Sequence, residues 1–238
     1  MNVLDLFSGI GGFSLGLERA GMRTVAFCEI EPYCRRVLAK HWPHVPIYDD
    51  VRTLTSDHLR TDGISVDVIC GGFPCQDISA AGLGVGIEGE RSGLWREYCR
   101  LIGEIRPKLA IVENVAALNF RGLGHVLGDL AAIRYDAEWH VIPAKRLGAP
   151  HERERCWIVA YAEGLSRLYQ PHIAQAAQRL LNDGTPWDAC PWETPASAVC
   201  SVDDGIPDRV VETERYGNAV VPQIPEIIGR AILQVINA

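Results

Sequence analysis

Apolar positions along this chain follow two rhythms. Short unbroken runs at 2–7, 24–28, 46–48, 66–70 and 108–112 read as buried strands, and two more follow at 138–142 and 156–160. Segments of helical period at 13–20, 32–41, 92–105 and 123–134 separate them, with Gly21 closing the first helix and Pro32 in the first turn of the second. Strands alternating with helices predict an α/β fold built on an open sheet. Past Tyr161 the rhythm fails and prolines gather, which predicts a small irregular lobe over 163–210. The core is therefore placed at 1–162, and 211–238 forms a C-terminal segment ending in an amphipathic helix at 225–236.

Candidate chemistry sits where strands end. The first strand runs into Phe7-Ser8-Gly9-Ile10-Gly11-Gly12 and then a helix, a cradle for a nucleotide-like ligand at the helix N-terminus. Ser14 stands where the dinucleotide fingerprint requires a third glycine, so a nicotinamide enzyme is a weak alternative. A formal match at Gly84, Gly86 and Gly89 lacks a preceding strand and reads as loop. Glu29, at the end of the second strand, can accept hydrogen bonds from ribose hydroxyls; Glu31 fits a solvated helix start better. Asp50 could meet an adenine amino group, with Val51 packing on the ring.

The strand at 66–70 leads into Gly71-Gly72-Phe73-Pro74-Cys75. Two glycines there allow a tight turn or close approach, and Pro74 stiffens the segment that presents Cys75. A lone cysteine is usually a small buried hydrophobe, but this one falls at the carboxyl end of a strand, where open α/β sheets do their chemistry. The glycine-rich stretch 80–89 beside it reads as a lid. Glu113-Asn114-Val115 ends the next strand at the same sheet edge.

Composition narrows the setting. A length of 238 residues suits one sizeable domain with a small appendage. A net charge of −7 argues against a broadly basic nucleic-acid binder, yet phosphate contacts need only a local cluster. Two clusters exist: Arg91, Arg96 and Arg100, which read as a solvated face, and Lys145, Arg146, Arg153 and Arg155. With no export signal and no membrane-length apolar run, the eight cysteines are expected reduced in a cytoplasm. No Cys-x-x-Cys spacing suggests a metal.

Together, Asp5-Leu-Phe-Ser-Gly-Ile-Gly-Gly, Gly72-Phe-Pro-Cys-Gln, Glu113-Asn-Val, Arg153-x-Arg155 and Gly217-Asn-Ala-Val resemble the cytosine-5 DNA methyltransferase family. The likeness covers 3–161 and resumes at 216–236. It implies a Rossmann-like S-adenosylmethionine-dependent methyltransferase fold, with adenine near Phe7, Ile30 and Val51 and ribose on Glu29. The methionine end would lie near Gly9, Gly11, Pro74 and Leu94, with Asn218 and Val220 returning from the C-terminus, so the terminal helix should pack beside the first strand. The resemblance further implies that Cys75 adds to cytosine C6, that Glu113 bonds N3 and the exocyclic amine, and that Arg155 and Arg153 orient the base. Double-stranded DNA is the implied substrate and a restriction endonuclease a possible cognate partner; neither membrane nor metal is implied. Three departures stand out: His151 replaces the family's glutamine, the arginine-containing motif before Gly217 is not recognisable, and the target-recognition region is short. An RNA cytosine-5 methyltransferase and a catalytically impaired DNA-binding relative are the alternatives.

Overall fold

The computed structural model describes residues 1–74, 93–147, 149, 152–165, 175, 177–179 and 219–237. Its strands are β1 (Asn2–Leu6), β2 (Arg23–Cys28), β3 (Ile47–Tyr48), β4 (Val68–Gly72), β5 (Leu109–Val115), β6 (Tyr135–Pro143) and β7 (Glu154–Ala162). The helices are α1 (Gly12–Arg19), α2 (Pro32–His41), α3 (Ser56–Thr61), α4 (Gly93–Ile105), α5 (Leu118–Arg121), α6 (Leu123–Ala132) and α7 (Gln223–Ile236). A 3-10 turn, Ala144–Leu147, follows β6.

The strands form one seven-stranded sheet in the order β3-β2-β1-β4-β5-β7-β6. β1 to β5 are mutually parallel, and β7 runs antiparallel to both its neighbours. The chain winds outward from β1 to β3, then returns to lay β4 on the other side of β1. That reversal opens a crevice beyond the carboxyl ends of β1 and β4, the place where such sheets bind ligands.

Both faces of the sheet are covered, which is why its central strands are almost uniformly apolar. Strand alternation divides the core: Ile69 packs with Leu4, Trp95, Tyr98 and Leu101 on one face. Its neighbours Val68 and Cys70 pack with Phe13, Leu17, Ile227 and Ile228 on the other. At the end of α1, Gly21 adopts φ 104°. Its N–H donates to Glu18 O and that of Met22 to Leu17 O, a double bond pattern that ends the helix as its glycine predicts. The terminal helix packs on α1, where a Cβ at Gly229 would meet Ala20 Cβ at 2.8 Å.

Several boundaries move. β4 extends to Gly72, so of the tight turn or close approach open to the two glycines, the structure shows strand residues in close approach. A Cβ at Gly71 would lie 2.3 Å from Leu6 O, and one at Gly72 would lie 2.5 Å from Glu113 Oε2. β6 and β7 are longer than their apolar centres, because pairing with each other carries them past the buried stretch. α3 had too little apolar period to predict; Thr55 starts it by accepting from the His58 N–H at 3.3 Å. The irregular lobe expected over 163–210 lies almost wholly outside the described residues. Among those described, no helix is long and apolar enough to cross a membrane.

Candidate active site

The loop after β1 is shaped by backbone twists. Phe7, Gly9 and Gly11 have φ of 52°, 54° and 90°, the first costly for a residue with a side chain. The Gly9 N–H donates to Glu29 Oε2 at 2.6 Å, and the Glu31 N–H donates to Glu29 Oε1 at 2.8 Å. Glu29 thus joins the loop to the start of α2, while each of its oxygens retains acceptor capacity for a hydroxyl.

Asp5 holds the loop from below. Its Oδ2 accepts from the Ser14 hydroxyl at 2.7 Å and the Ser14 N–H at 3.3 Å, so β1 caps the first turn of α1, whose own N-cap residue is Gly11. Ser14, which breaks the dinucleotide fingerprint, is the buried partner of this carboxyl. Burial pushes Asp5 up to about 7; Ser14 opposes the shift and Glu29 adds to it.

A cavity of about 930 Å³ opens over the crevice. Phe7, Gly9, Glu29, Ile30, Asp50 and Val51 line one end. Pro74, Leu94, Glu113 and Arg155 line the other. Ile30, 56% exposed, offers an apolar surface without a protein cover. Asp50 lines the cavity as well, and its two oxygens bind Arg52, at 2.9 and 2.6 Å. That guanidinium is the main cause holding the Asp50 carboxyl below its usual range.

At the second end, β5 and β7 place Glu113 and Arg155 on one face. Arg155 pairs opposite Val115, two residues from Glu113, and its Nε reaches Glu113 Oε1 at 2.9 Å. Burial raises the affinity of Glu113 for its proton, with Arg155 and then Arg153 opposing. Gly72 leaves room for this carboxylate, since a Cβ there would lie 2.5 Å from Glu113 Oε2 and displace it. Asn114 points the other way and is buried. Its Nδ2 donates to Phe73 O at 3.0 Å, and its Oδ1 accepts from the Val115 N–H at 2.8 Å. It ties the end of β5 to the residue preceding Pro74.

Three expected site residues stand off the cavity wall. Gly11 is packed behind it, where a Cβ would meet the Trp42 ring at 2.6 Å. Val220 rests on Gly12, and its neighbour Ala219 lines the cavity instead. The Arg153 Nη2 donates to Ala219 O at 2.7 Å. Cys75 and Asn218 lie outside the described residues; Pro74, which precedes Cys75 in sequence, is on the wall. Arg91 and the lid at 80–89 are likewise outside.

The solvated-face reading of Arg100 is corrected. Arg100 pairs with Glu97 and Glu104, each at 2.7 Å, and donates to Val51 O and Leu54 O, each at 3.0 Å. It fixes the turn that carries Val51. Asp5, Asn114 and Arg100 were missed as site residues because each works through backbone groups distant in sequence. The one signal for Asp5 and Asn114 was their place inside recognisable motifs.

A carboxyl inclined to keep its proton, braced by a guanidinium, thus shares a cavity with a second carboxylate suited to hydroxyls. Such a site can donate a proton to a heterocycle beside a nucleoside-like ligand. Residues 1–187 match the family model described as C-5 cytosine-specific DNA methylase. The chain is 35% identical over 168 residues to the type II methyltransferase M2.BsuMI of Bacillus subtilis (strain 168), covering 67% of this chain and 42% of that protein. It is 36% identical over 170 residues to M.Eco47II of Escherichia coli, covering 69% and 40%. Among solved structures, a putative DNA modification methyltransferase encoded within an Escherichia coli prophage matches with TM-score 0.60 and 26% identity, over 72% of this chain and 51% of that one. The chain spans about two fifths of the length of the two curated relatives.

Proposed function

The chain belongs to the C-5 cytosine-specific DNA methylase family, and from that membership we propose that it transfers a methyl group from S-adenosylmethionine to C5 of cytosine in DNA. The observation that carries this reading is one cavity with Glu29 at one end and the Glu113–Arg155 pair at the other.

S-adenosylmethionine fits the first end. Glu29 has acceptor capacity left for two ribose hydroxyls, and Ile30 and Val51 offer apolar surface to adenine. When bound, it supplies an electrophilic methyl group. The chain's own residues do the rest. The thiolate of Cys75 adds to cytosine C6, opening the C5–C6 double bond, while Glu113 delivers its proton to N3. C5 becomes enamine-like and takes the methyl group, the bonding pair staying on the donor's sulfur. The C5 proton is then lost to water, the double bond re-forms as the thiolate leaves, and the N3 proton returns to Glu113. Arg155 fixes the Glu113 carboxyl and faces the base. Asn114 holds the carbonyl of Phe73 and so steadies the chain leading to Pro74 and Cys75.

The target atoms are hidden in a duplex, so the cytosine must leave the stack to enter this cavity. Two curated relatives are named type II methyltransferases. We place this chain in the same setting, with a cognate restriction endonuclease as its counterpart and the cytoplasm as its compartment.

Bisulfite sequencing of host DNA after expression tests the proposal, with Cys75→Ala as the control. Protected cytosines at a defined sequence, absent in the control, are expected. Unmodified DNA beside methylated RNA would transfer the reading to an RNA substrate.

A further inference from the structure

Arg153 stands two residues from Arg155 on the way into β7, and its motif suggests a partner for the base. Its position is different. Arg155 lines the cavity and Arg153 does not. The half-buried guanidinium of Arg153 instead donates Nη2 to the main-chain carbonyl of Ala219. That carbonyl opens a short strap, residues 219–222, which leads into α7.

The underside of the strap is equally specific. Gly12 and Gly16 lie four residues apart on one face of α1 and leave a groove in the helix surface. A Cβ at Gly12 would lie 2.4 Å from Val220 O, and one at Gly16 would lie 2.2 Å from Pro222 O. Alternate strap carbonyls therefore sit directly on helix backbone, at a distance only glycine permits. The third carbonyl, that of Ala219, turns to Arg153. The strap is gripped between a glycine groove and a guanidinium, with Ala219 exposed to the cavity between them.

We propose that Arg153 is a positioning residue for the cofactor end of the site: it locks the strap at residues 219–222 onto α1 and does not act on the cytosine. This rests on the methyltransferase reading only for its ligand, since the strap geometry stands without it. Arginine suits the task because a charged donor to a backbone carbonyl is stronger than a neutral one. A lysine could also donate to that carbonyl, which gives the proposal a conservative rescue.

The test compares Arg153→Met, Arg153→Lys and Gly16→Ala in the full chain, with Arg155→Met as contrast. Gly16→Ala displaces the strap from its other side without changing any charge. Arg153→Met and Gly16→Ala should each raise the KM for S-adenosylmethionine by about tenfold, the scale of one lost charge-assisted hydrogen bond. Gly16→Ala, which leaves the charges around Glu113 intact, separates this effect on KM from any change in kcat that follows from losing the Arg153 charge. Arg153→Lys should recover most of the affinity, and Arg155→Met should lower kcat instead. Hydrogen exchange of the ligand-free proteins should be faster at Ile224 and Glu226, whose N–H groups donate to Val221 O and Pro222 O of the strap, in Arg153→Met and Gly16→Ala only. Unchanged exchange in Arg153→Met, or a fall in kcat at unchanged KM, would overturn the proposal. A wild-type protein that did not bind S-adenosylmethionine would instead remove the proposed function and leave the exchange comparison to decide the strap.

Discussion

In the proposed reaction, Glu113 is the proton donor, and its surroundings suit that role. Burial favours its protonated form, and the nearby guanidinium of Arg155 limits that shift. A proton donor must be protonated to act, so methyl transfer should decline as pH rises through the raised pKa of this carboxyl. Glu113→Gln should lower kcat by about 100- to 1,000-fold, the usual share of a general acid, and should remove that alkaline decline. Single-turnover rates across pH check both. Gly72→Ala reaches the same group from the backbone. Its Cβ would press within 2.5 Å of Glu113 Oε2, so kcat should fall although no functional group is removed.

Asp5 makes a pH prediction of the opposite kind, on stability. Its carboxyl is buried against Ser14 and Cys70, with Glu29 raising it further, and titrates at about 7 rather than 3.8. Tyr98, also buried, feels its charge. The folded state holds this proton more tightly than the unfolded chain does. Its contribution is therefore full below about 4 and is lost as pH rises towards about 7. Asp5→Asn keeps an acceptor for Ser14 and abolishes the titration. Denaturant midpoints between pH 4 and 8 should fall for the wild type, at a slope of roughly 1.4 kcal/mol per pH unit at most, and lie flatter for the variant.

At the scale of elements, the joints between strands decide whether the site exists. Asn114 spans from β5 to the end of β4 through a buried bond to Phe73 O. Asn114→Ala leaves that carbonyl without its donor and should cost about 1–3 kcal/mol of stability, read by urea unfolding. The same substitution should lower kcat more than it raises the KM for S-adenosylmethionine, because it loosens the nucleophile side of the cavity. Element positions themselves were largely legible, since runs of period two and period 3.6 alternate cleanly from β1 to α6. Boundaries were less so. The Gly71–Gly72 pair reads equally as a tight turn or a close approach, and only the proximity of Leu6 O and Glu113 shows which.

For the whole molecule, the sheet reversal between β1 and β4 does what the sequence pattern implied: it gathers the ends of separate strands around one cavity. Glu29 and Glu113 directly follow apolar runs, Phe7, Gly9 and Pro74 lie at or just beyond the ends of others, and all five line the cavity. Arg153 was assigned to the base by the family resemblance alone, and no feature of the sequence announced its bond to Ala219 O, 66 positions away. Asp50 was matched to a ligand amine and lines the cavity, where it also pairs with Arg52, a partner that spacing alone does not reveal. Long-range partners of this sort are set by packing, which a single sequence does not display.

The most direct measurement is covalent capture. A duplex carrying 5-fluorocytosine at the methylated site, incubated with the protein and S-adenosylmethionine, blocks the final loss from C5. The account predicts a stable protein–DNA adduct of the combined mass, carrying one added methyl group and attached through Cys75. Methylation of ordinary DNA with no adduct at Cys75 on the fluorinated duplex would contradict it.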